Sequence, residues 1–514
     1  MSCGPPLTLM KRTTLPALTV SAAGSKAALL VPSPVIFTST TAVGVAVAAA
    51  GAGAAFAVAT AAVCEASPFF SPPQAATPNT ASVLSTVQRI ADLLRSLRYE
   101  LVNAFTIYPS PSKAGGLDPL RFSSLPTTLE PMPAPALPQM RPEDLALQLD
   151  RGERVQLLDI RASERVAQAR VTFGPGLDFR AVPASEIYQL SSLEPLRLDR
   201  AQPVAVICGH GNSSRKATQY LRDKGFEAFS VTGGMAAWET VHLPRALSPT
   251  PTLQHVIQLD RVGKGALSYV LVSDGDAVVV DPGRHLERYN ELLTALGATP
   301  AAVIDTHMHA DYLSGARAAA ARWQVPYFLH PDDAGSPYDG TPGRLAYQPL
   351  SEGDTIAFGR ATLRAQHVPG HTLGSVALIA DDALALTGDF LFVQSVGRPD
   401  LGGKGAAWAE LLWNSLERAR REWPGELLVL PAHYGAEQER RADRTVAARF
   451  DVVAATNEAA AMQDRATFLR WIADHTTLPP DSYRTIKLAN LGLMELSDVD
   501  AELVEFGPSQ CAVQ

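Results

Sequence analysis

Histidine and aspartate residues recur just after short apolar runs in the second half of the chain, where they could bind a metal ion. The run 301–304 is followed by Asp305 and then by His307, His309 and Asp311, at steps of two residues. Imidazole and carboxylate together suit a transition metal such as iron or zinc. A single His-x-His is equally compatible with a structural role, so a metal prediction needs further segments.

Three later segments carry the same residue types in the same local setting. Residues 368–372 contain His371, residues 387–390 contain Asp389, and residues 431–433 end in His433. Each segment follows an apolar run that predicts a strand. Loops that follow the strands of an α/β scaffold lie together, so the four segments jointly predict a metal centre.

A cysteine in a glycine-rich loop offers a second chemistry. The apolar run 203–207 leads directly into Cys208, and Arg215 lies in the helix predicted to follow. The loop between them contains Gly209, His210, Gly211, Asn212 and Ser213. Backbone N–H groups, the helix dipole and Arg215 would lower the pKa of the thiol.

Two other roles for this cysteine fit its surroundings less well. A lone cysteine is usually a buried inert residue, but two glycines let this loop wrap around an anion. A cysteine phosphatase uses a similar cradle and needs arginine six positions after the cysteine, where this chain has Ser214. A sulfur carrier therefore fits better.

Length, charge and cysteine content limit the class of protein. A chain of 514 residues exceeds one hydrophobic core, so two or more domains are expected. A net charge of −8 with 19% charged residues gives no electrostatic footprint for nucleic acid. The four cysteines lie far apart in sequence, which indicates a reducing compartment, either cytoplasm or an organelle matrix.

Residues 1–140 form a low-complexity extension. The segment 42–63 is uncharged and long enough to span a bilayer, so membrane association is one interpretation. A targeting peptide and a true start at Met132 or Met140 are the others. An amphipathic helix is predicted from Val83 to Leu101, followed by a proline-rich linker.

Residues 141–246 alternate predicted strands and helices, which indicates a parallel sheet with helices on its faces. The Cys208 loop, its helix and the turn Gly233-Gly234 before Trp238 resemble a single-domain rhodanese, a thiosulfate sulfurtransferase. By this resemblance Cys208 would carry a persulfide, held by residues 209–213. Residues 169–174 depart from the usual pattern of that family.

Residues 252–514 form a third region. Strands 268–272 and 277–283 are predicted to form a hairpin with its turn at Asp274-Gly275, and a helix is predicted at 286–296. This order and the four metal-site segments resemble the metallo-β-lactamase fold, an αβ/βα sandwich. Helices are predicted at 442–461 and 466–474, with a mixed segment at 491–506. The expected fold is thus an α/β multidomain chain.

Segments 387–392 and 397–401 look most like persulfide dioxygenases and their glyoxalase II relatives. Dinuclear hydrolases of this superfamily show His-x-His-x-Asp-His, and Tyr312 replaces the final histidine here. His307, His309, His371 and Asp389 remain as candidates for one site. The resemblance implies that His307, His371 and Asp389 bind iron, with His309 nearby.

Three other residues near this site are predicted to orient ligands or to contact substrate. Asp311 and His433 match second-site positions and could orient ligands. Arg398 either binds an anionic part of the substrate or braces the loop after Asp389.

These resemblances imply a fused sulfurtransferase and persulfide dioxygenase with one Fe(II) per chain. The expected small molecules are thiosulfate, sulfite, O₂ and a persulfide or thiol such as glutathione. The first alternative is a glyoxalase II-like thioester hydrolase with two Zn(II) ions. The second is a membrane-tethered sulfur carrier or sensor. A homo-oligomer is compatible with the sequence. Sulfur transfer in either direction is compatible with it as well.

Overall fold

The computed structural model describes residues 137–190 and 192–513, and upstream of these only the short strands Thr19–Ala22, Ser25–Ala28, Ala49–Ala50 and Ala55–Phe56. The predicted amphipathic helix 83–101 and most of segment 42–63 lie outside the described residues. Among the residues that are described, no helix is long and apolar enough to cross a membrane.

The first folded region is a five-stranded parallel sheet with short helices on its faces, as the alternating pattern predicts. Its strands, in chain order, are β1 (Gln139–Met140), β2 (Val155–Asp159), β3 (Leu177–Ala181), β4 (Val204–Ile207) and β5 (Ala228–Val231). Their order across the sheet is β1-β5-β4-β2-β3. The helices are α1 (Pro142–Asp150), α2 (Ser163–Gln168), α3 (Ala184–Ile187), α4 (Asn212–Asp223) and α5 (Gly234–Trp238).

Both faces of this sheet are buried, which explains why its central strands are continuous apolar runs. Along β2, Leu157 packs into one core and the adjacent Leu158 into the other. Along β4, Ala205 and Val206 divide in the same way. A parallel sheet covered on both sides needs apolar residues at every position.

The second region contains two sheets packed face to face. The seven-stranded sheet follows chain order: β6 (His242–Leu247), β7 (His255–Arg261), β8 (Ala266–Ser273), β9 (Asp276–Val280), β10 (Thr299–Ile304), β11 (Tyr327–Leu329) and β12 (Gln348–Pro349). The six-stranded sheet does too: β13 (Thr355–Phe358), β14 (Ala361–His367), β15 (Val376–Ala380), β16 (Leu384–Gly388), β17 (Leu428–Pro431) and β18 (Ala448–Arg449).

Helices cover the outer faces of both sheets and complete the αβ/βα sandwich. On the first sheet lie α6 (Leu286–Leu296) and α7 (Ala316–Trp323). On the second lie α8 (Gly405–Glu422), α9 (Phe450–Thr456) and α10 (Arg465–His475). The core between the sheets joins residues such as Leu271 and Leu378. The predicted α/β multidomain fold is confirmed.

Local signals predicted two elements of this region well. The strands β8 and β9 form an antiparallel hairpin, with Asp274 and Gly275 both at positive φ in the turn. Two consecutive residues with positive φ match the right-handed twist of paired strands, which favours Asp-Gly. The helix predicted at 286–296 is α6, and Gly297 ends it in the left-handed conformation.

The C-terminal region departs from its prediction. The helix predicted at 442–461 is wrong over most of its length, because only Phe450–Thr456 is helical. Upstream of α9, Arg440 and Val446 form a bridge and β18 joins the sheet edge. Pairing with the sheet overrides the helix propensity of this alanine-rich run. Two helices follow α10: α11 (Ser482–Asn490) and α12 (Asp498–Glu505).

The two regions pack against each other within one compact unit. The strand β6, which the predicted boundary at residue 246 assigns to the first region, pairs antiparallel with β7 of the second. Asp150, at the end of α1, accepts hydrogen bonds from Arg245 and Arg444. The α1 helix is therefore tied by charge to the sandwich.

Candidate functional site

Three predicted ligands converge from the ends of separate strands. His307 follows β10, His371 follows β14 and Asp389 follows β16. Asp389 Oδ2 lies 3.4 Å from His371 Nε2 and 3.6 Å from His307 Nε2. All three atoms are buried, and none has a hydrogen-bond partner within the described part of the chain. Buried polar atoms are normally paired, so three unpaired ones at one point fit a metal ion.

Hydrogen bonds at the opposite ring nitrogens orient both imidazoles. His371 Nδ1 donates to the carbonyl oxygen of Arg398 at 2.9 Å. His307 Nδ1 lies 3.0 Å from Thr306 Oγ1, whose own proton goes to Asp281. Nδ1 is therefore the donor in each ring, and the lone pair on Nε2 is left free to bind a metal.

The electrostatic surroundings also favour the protonation states in which these three side chains can bind a metal. Burial, reinforced by His309 and His371, holds the pKa of His307 well below its ordinary value. Burial lowers the pKa of His371 to about 4, against the opposing pull of Asp389. Burial would raise the pKa of Asp389, but the charge on His433 outweighs it and lowers that pKa. Neutral imidazoles and a carboxylate are the forms that bind metals.

His309 lies apart from the trio, and its place in the ligand set stays a prediction. Its Nε2 lies 3.1 Å from both Asp281 Oδ1 and the Tyr312 hydroxyl, while its Nδ1 is buried without a partner in the described residues. Burial would lower the pKa of His309, but Asp281 outweighs burial and raises it well above the ordinary value. The Tyr312 ring stacks on His309.

His433 links two carboxylates beside the trio. Its Nδ1 lies 2.7 Å from Asp389 Oδ1 and its Nε2 lies 2.9 Å from Asp311 Oδ2. Burial would lower the pKa of His433, but Asp389 and Asp311 raise it to about 10. The ring thus lies between Asp389, a predicted ligand of the first site, and Asp311, which like His433 itself matches a second-site position.

Arg398 forms the contacts expected of bracing, one of its two predicted roles, and substrate binding by this residue stays a prediction. Its guanidinium forms two hydrogen bonds to Asp400, at 2.7 and 2.8 Å. It also donates to the carbonyl oxygens of Gln510 and Thr477. Because its own carbonyl accepts from His371, Arg398 fixes the loop that orients this ligand.

Sequence reasoning missed residues that the C-terminal segment brings to the metal site. Cys511 packs with Ala310, Leu401 and Tyr483, next to the His307 loop. Lys487 is 2% exposed and forms no hydrogen bond or ion pair with other described residues. Burial lowers its pKa, with Asp333 among the groups that oppose the shift. No local pattern marks these residues, since an isolated lysine on a helix usually faces solvent.

Cys208 lies at the end of β4 and is 5% exposed. Burial would raise the pKa of its thiol, but hydrogen bonds from the Ser214 hydroxyl and from the backbone N–H groups of Ser214, His210 and Gly211 outweigh burial and lower it. Ser214 Oγ lies 3.4 Å from Sγ and 2.9 Å from Ser230 Oγ. In the sequence, Ser214 stands out only because a cysteine phosphatase would have arginine at this position, and nothing there indicates its hydrogen bond to Cys208.

Arg215 is exposed on α4 and is not among the main causes of this lowered pKa, so its catalytic role stays a prediction. Gly209, His210 and Ser213 line a cavity against Cys208, whereas Asn212 is exposed outside it. Gly211 needs its positive φ of 81°, and a Cβ there would lie 2.7 Å from the backbone nitrogen of Gly233. The loop therefore packs directly against the Gly233-Gly234 turn.

Comparison with known proteins agrees with this architecture. The family model described as "Metallo-beta-lactamase superfamily" matches residues 261–451. An uncharacterized protein of Mycobacterium leprae is 34% identical over 179 residues, which cover 31% of this chain and 80% of that protein. The probable metallo-hydrolase YqgX of Bacillus subtilis is 32% identical over 182 residues, covering 33% and 84%. The chain belongs to the metallo-β-lactamase superfamily.

Within that superfamily, the chain is similar to persulfide dioxygenases, and it carries a rhodanese-like domain in front, matched at residues 141–240. The mitochondrial persulfide dioxygenase ETHE1 of Bos taurus is 32% identical over 160 residues, 31% of this chain and 59% of that protein. The crystal structure of ETHE1 from Myxococcus xanthus has a TM-score of 0.40 at 23% identity, covering 46% of this chain and 99% of that one. The chain is a metal-dependent enzyme by fold and site.

Proposed function

We propose that this protein is a fused sulfurtransferase and persulfide dioxygenase. Cys208 moves sulfane sulfur, and the metal centre oxidises a low-molecular-weight persulfide such as glutathione persulfide to sulfite, releasing the thiol. The observation that carries the proposal is the trio of unpartnered ligand atoms on His307, His371 and Asp389. The likeness to persulfide dioxygenases supports the choice of substrate.

The residues present fit a single iron(II) ion. Two imidazoles and one carboxylate with open positions form the ligand set of non-haem iron oxygenases. When bound, iron(II) supplies the redox chemistry by which O₂ reacts with a sulfur ligand. The net reaction is RSS⁻ + O₂ + H₂O → RSH + HSO₃⁻, which balances in atoms and charge.

The chain's own residues prepare this chemistry. Thr306 and the Arg398 carbonyl hold the two imidazoles, and His433 holds the Asp389 carboxylate. The ammonium of Lys487 offers a positive charge to an anionic persulfide or sulfite. Burial of the whole site excludes bulk water, which strengthens each of these electrostatic contacts.

Sulfur transfer starts at the Cys208 thiolate. The thiolate attacks the outer sulfur of thiosulfate, the S–S bond breaks, and sulfite leaves with the electron pair. The persulfide on Cys208 then passes its outer sulfur to an acceptor thiolate. The backbone N–H groups of His210 and Gly211 hold the anionic sulfur throughout. The same steps in reverse would consume sulfite and make thiosulfate.

Oxygen consumption tests the oxidative part. Protein loaded anaerobically with iron(II) and given glutathione persulfide is expected to take up O₂, and His371→Ala and Asp389→Asn should abolish the uptake. His255→Ala, at an exposed strand end, is the matched control. Absence of uptake together with cleavage of a glutathione thioester would reverse the assignment.

The thioester hydrolase remains the main alternative, because a hydroxyacylglutathione hydrolase of Anaeromyxobacter dehalogenans is 35% identical over 176 residues, 63% of that protein. It requires two zinc ions, whereas our proposal expects one iron per chain. Metal analysis of purified protein distinguishes them. If the protein is only a sulfur carrier or sensor, the His371 and Asp389 variants will keep full function.

A further inference from the structure

A cavity of about 470 Å³ lies against Cys208, and both folded regions form its walls. The rhodanese-like side contributes Cys208, His210 and Ser213. The metallo-β-lactamase side contributes Arg261, Arg284 and Leu503, among others. The space in front of the sulfur-carrying cysteine is therefore completed by the domain that holds the metal site.

One wall is an exposed apolar face of α12. Val499 is 67% exposed and Leu503 is 63% exposed, and both line the cavity. They are four residues apart, so they lie on the same face of the helix. Ligand sites are lined largely by apolar side chains. Their volumes range from about 300 to 1,000 Å³, which includes the volume of this cavity.

The polar part of the lining favours an anion. Arg161 and Arg261 are 8% and 4% exposed, and in each the Nη1 atom is buried without a partner among the described residues. Arg165 and Arg284 add two further guanidinium groups to the lining. Against these four stand three glutamates, and Arg161 is also paired with Asp159 at 2.6 Å.

The glutamates do not cancel this positive charge completely. Burial raises the pKa of Glu239 to about 7, so it is partly neutral at neutral pH. Glu505 is shared between Arg284 at 2.8 Å and Arg261 at 3.4 Å, so one carboxylate faces two guanidinium groups. The arginines stay protonated at any physiological pH.

We propose that this cavity binds the sulfur acceptor, a low-molecular-weight organic thiol that carries carboxylate groups. Its thiol lies towards Cys208 and its carboxylates lie towards Arg261 and Arg284 of the metallo-β-lactamase side. The inference rests on the proposed sulfur transfer by Cys208 and adds the acceptor site to it.

The transfer step balances without any further reagent. The acceptor thiolate attacks the outer sulfur of the Cys208 persulfide and forms a new S–S bond. The bond to Cys208 breaks, and its electron pair stays on the Cys208 sulfur. The product is the anionic persulfide that the metal centre is proposed to oxidise.

The same wall is connected to the metal-site loop. Glu505 Oε2 accepts from Arg284, and Oε1 accepts from the backbone N–H of Leu313 at 2.6 Å. Leu313 follows Tyr312 in the loop that carries His307. One carboxylate thus touches both the acceptor cavity and the loop that positions a proposed ligand.

Acceptor preference in the full-length protein tests the proposal. Thiosulfate sulfurtransferase kinetics would be measured with glutathione, which carries two carboxylates, and with uncharged 2-mercaptoethanol. Arg284→Gln is expected to lower the ratio of kcat/KM for glutathione to that for 2-mercaptoethanol about tenfold, the effect of losing one charged hydrogen bond. Leu503→Asp places a negative charge on an exposed position of the same wall and should also lower the ratio.

Arg322→Gln is the matched control, because Arg322 is an exposed arginine that pairs with Glu287 and does not line the cavity. Its ratio should equal that of the wild type. An unchanged ratio in both Arg284→Gln and Leu503→Asp overturns the acceptor site while leaving sulfur transfer intact. Absence of transfer to either thiol by the wild type overturns the proposed function of Cys208 itself.

Discussion

The four histidines around the candidate metal centre show how neighbours decide the chemistry of one residue type. His307 and His371 face each other and a single carboxylate, and burial keeps them neutral. His309 and His433 each contact carboxylates directly, and those charges overcome burial. Neutral rings are the form that binds a metal, whereas rings that contact carboxylates can orient them, so the same side chain suits two different roles here.

A first prediction at this scale concerns Ser214. Ser214→Ala removes one hydrogen bond to the Cys208 thiolate, so the pKa of the thiol should rise. The rate of alkylation by iodoacetamide at pH 7 is expected to fall about fivefold, as the loss of about 1 kcal/mol implies. Thr218→Ala, one turn further along α4 and equally buried, is the control. An unchanged pH profile would show that the backbone N–H groups alone hold the anion.

A second concerns Lys487, whose buried charge has no ion-pair partner among the described residues. Lys487→Met should stabilise the protein by about 1 kcal/mol, because an unpaired buried charge is costly. It should also raise KM for glutathione persulfide about tenfold, as one charged contact is lost. Urea unfolding and oxygen uptake would be measured together, with the exposed Lys404→Met as control. Loss of stability without change in KM would contradict this role.

At the scale of elements, the C-terminal tail completes the metal site. Cys511 O accepts from the backbone N–H of Arg398 at 2.8 Å, and the N–H of Val513 donates to Val396 O at 3.0 Å. Gly397 and Ala512 form a bridge between these two contacts. The tail therefore acts as an added strand that fixes the loop orienting His371.

Truncation after Pro508 tests this account. The shortened protein should fold, because both sheets lie upstream and the tail adds only Cys511 and Val513 to the buried clusters, but the loop around Arg398 should loosen. We expect weaker iron retention against a chelator and a reduced rate of oxygen uptake, with sulfur transfer by Cys208 unaffected. Equal iron retention in the shortened and full chains would show that the tail does not help to position the metal ligands.

At the scale of the whole molecule, a network of charges joins α1 to the sandwich. Asp150 binds Arg245 and Arg444, and Arg245 and Arg440 both bind Asp260. Arg245 and Asp260 are buried, so their charges depend on these partners. The interface that creates the Cys208 cavity is thus held by specific ion pairs as well as by apolar contact.

Asp150→Asn should destabilise the protein by about 2 kcal/mol at pH 7, because Arg245 and Arg444 lose a charged partner. Burial would raise the pKa of Asp150, but the two arginines outweigh it and lower the pKa. The stabilising contribution is therefore present above the ordinary carboxyl pKa of about 3.9 and is lost as the pH falls through the lowered value.

Urea unfolding of wild type and variant at pH 7 and at low pH checks both points, and the difference between them should shrink in acid. Asp144→Asn, on the exposed side of the same helix, serves as the control. A difference that does not depend on pH would mean that shape, and not charge, holds the interface.

Sequence alone determined the elements whose signals are local. The Asp274-Gly275 turn, the helix ended by Gly297, the glycine-rich loop after Cys208 and the placing of His307, His371 and Asp389 after strands all follow from residues close together in the chain. Only the tertiary structure decided the charge of each histidine, the bracing role of Arg398, the exposure of Arg215 and the pairing of β6 with the second domain. The physical reason is that burial, charge pairing and sheet-edge pairing depend on partners far away in sequence, so no local pattern encodes them.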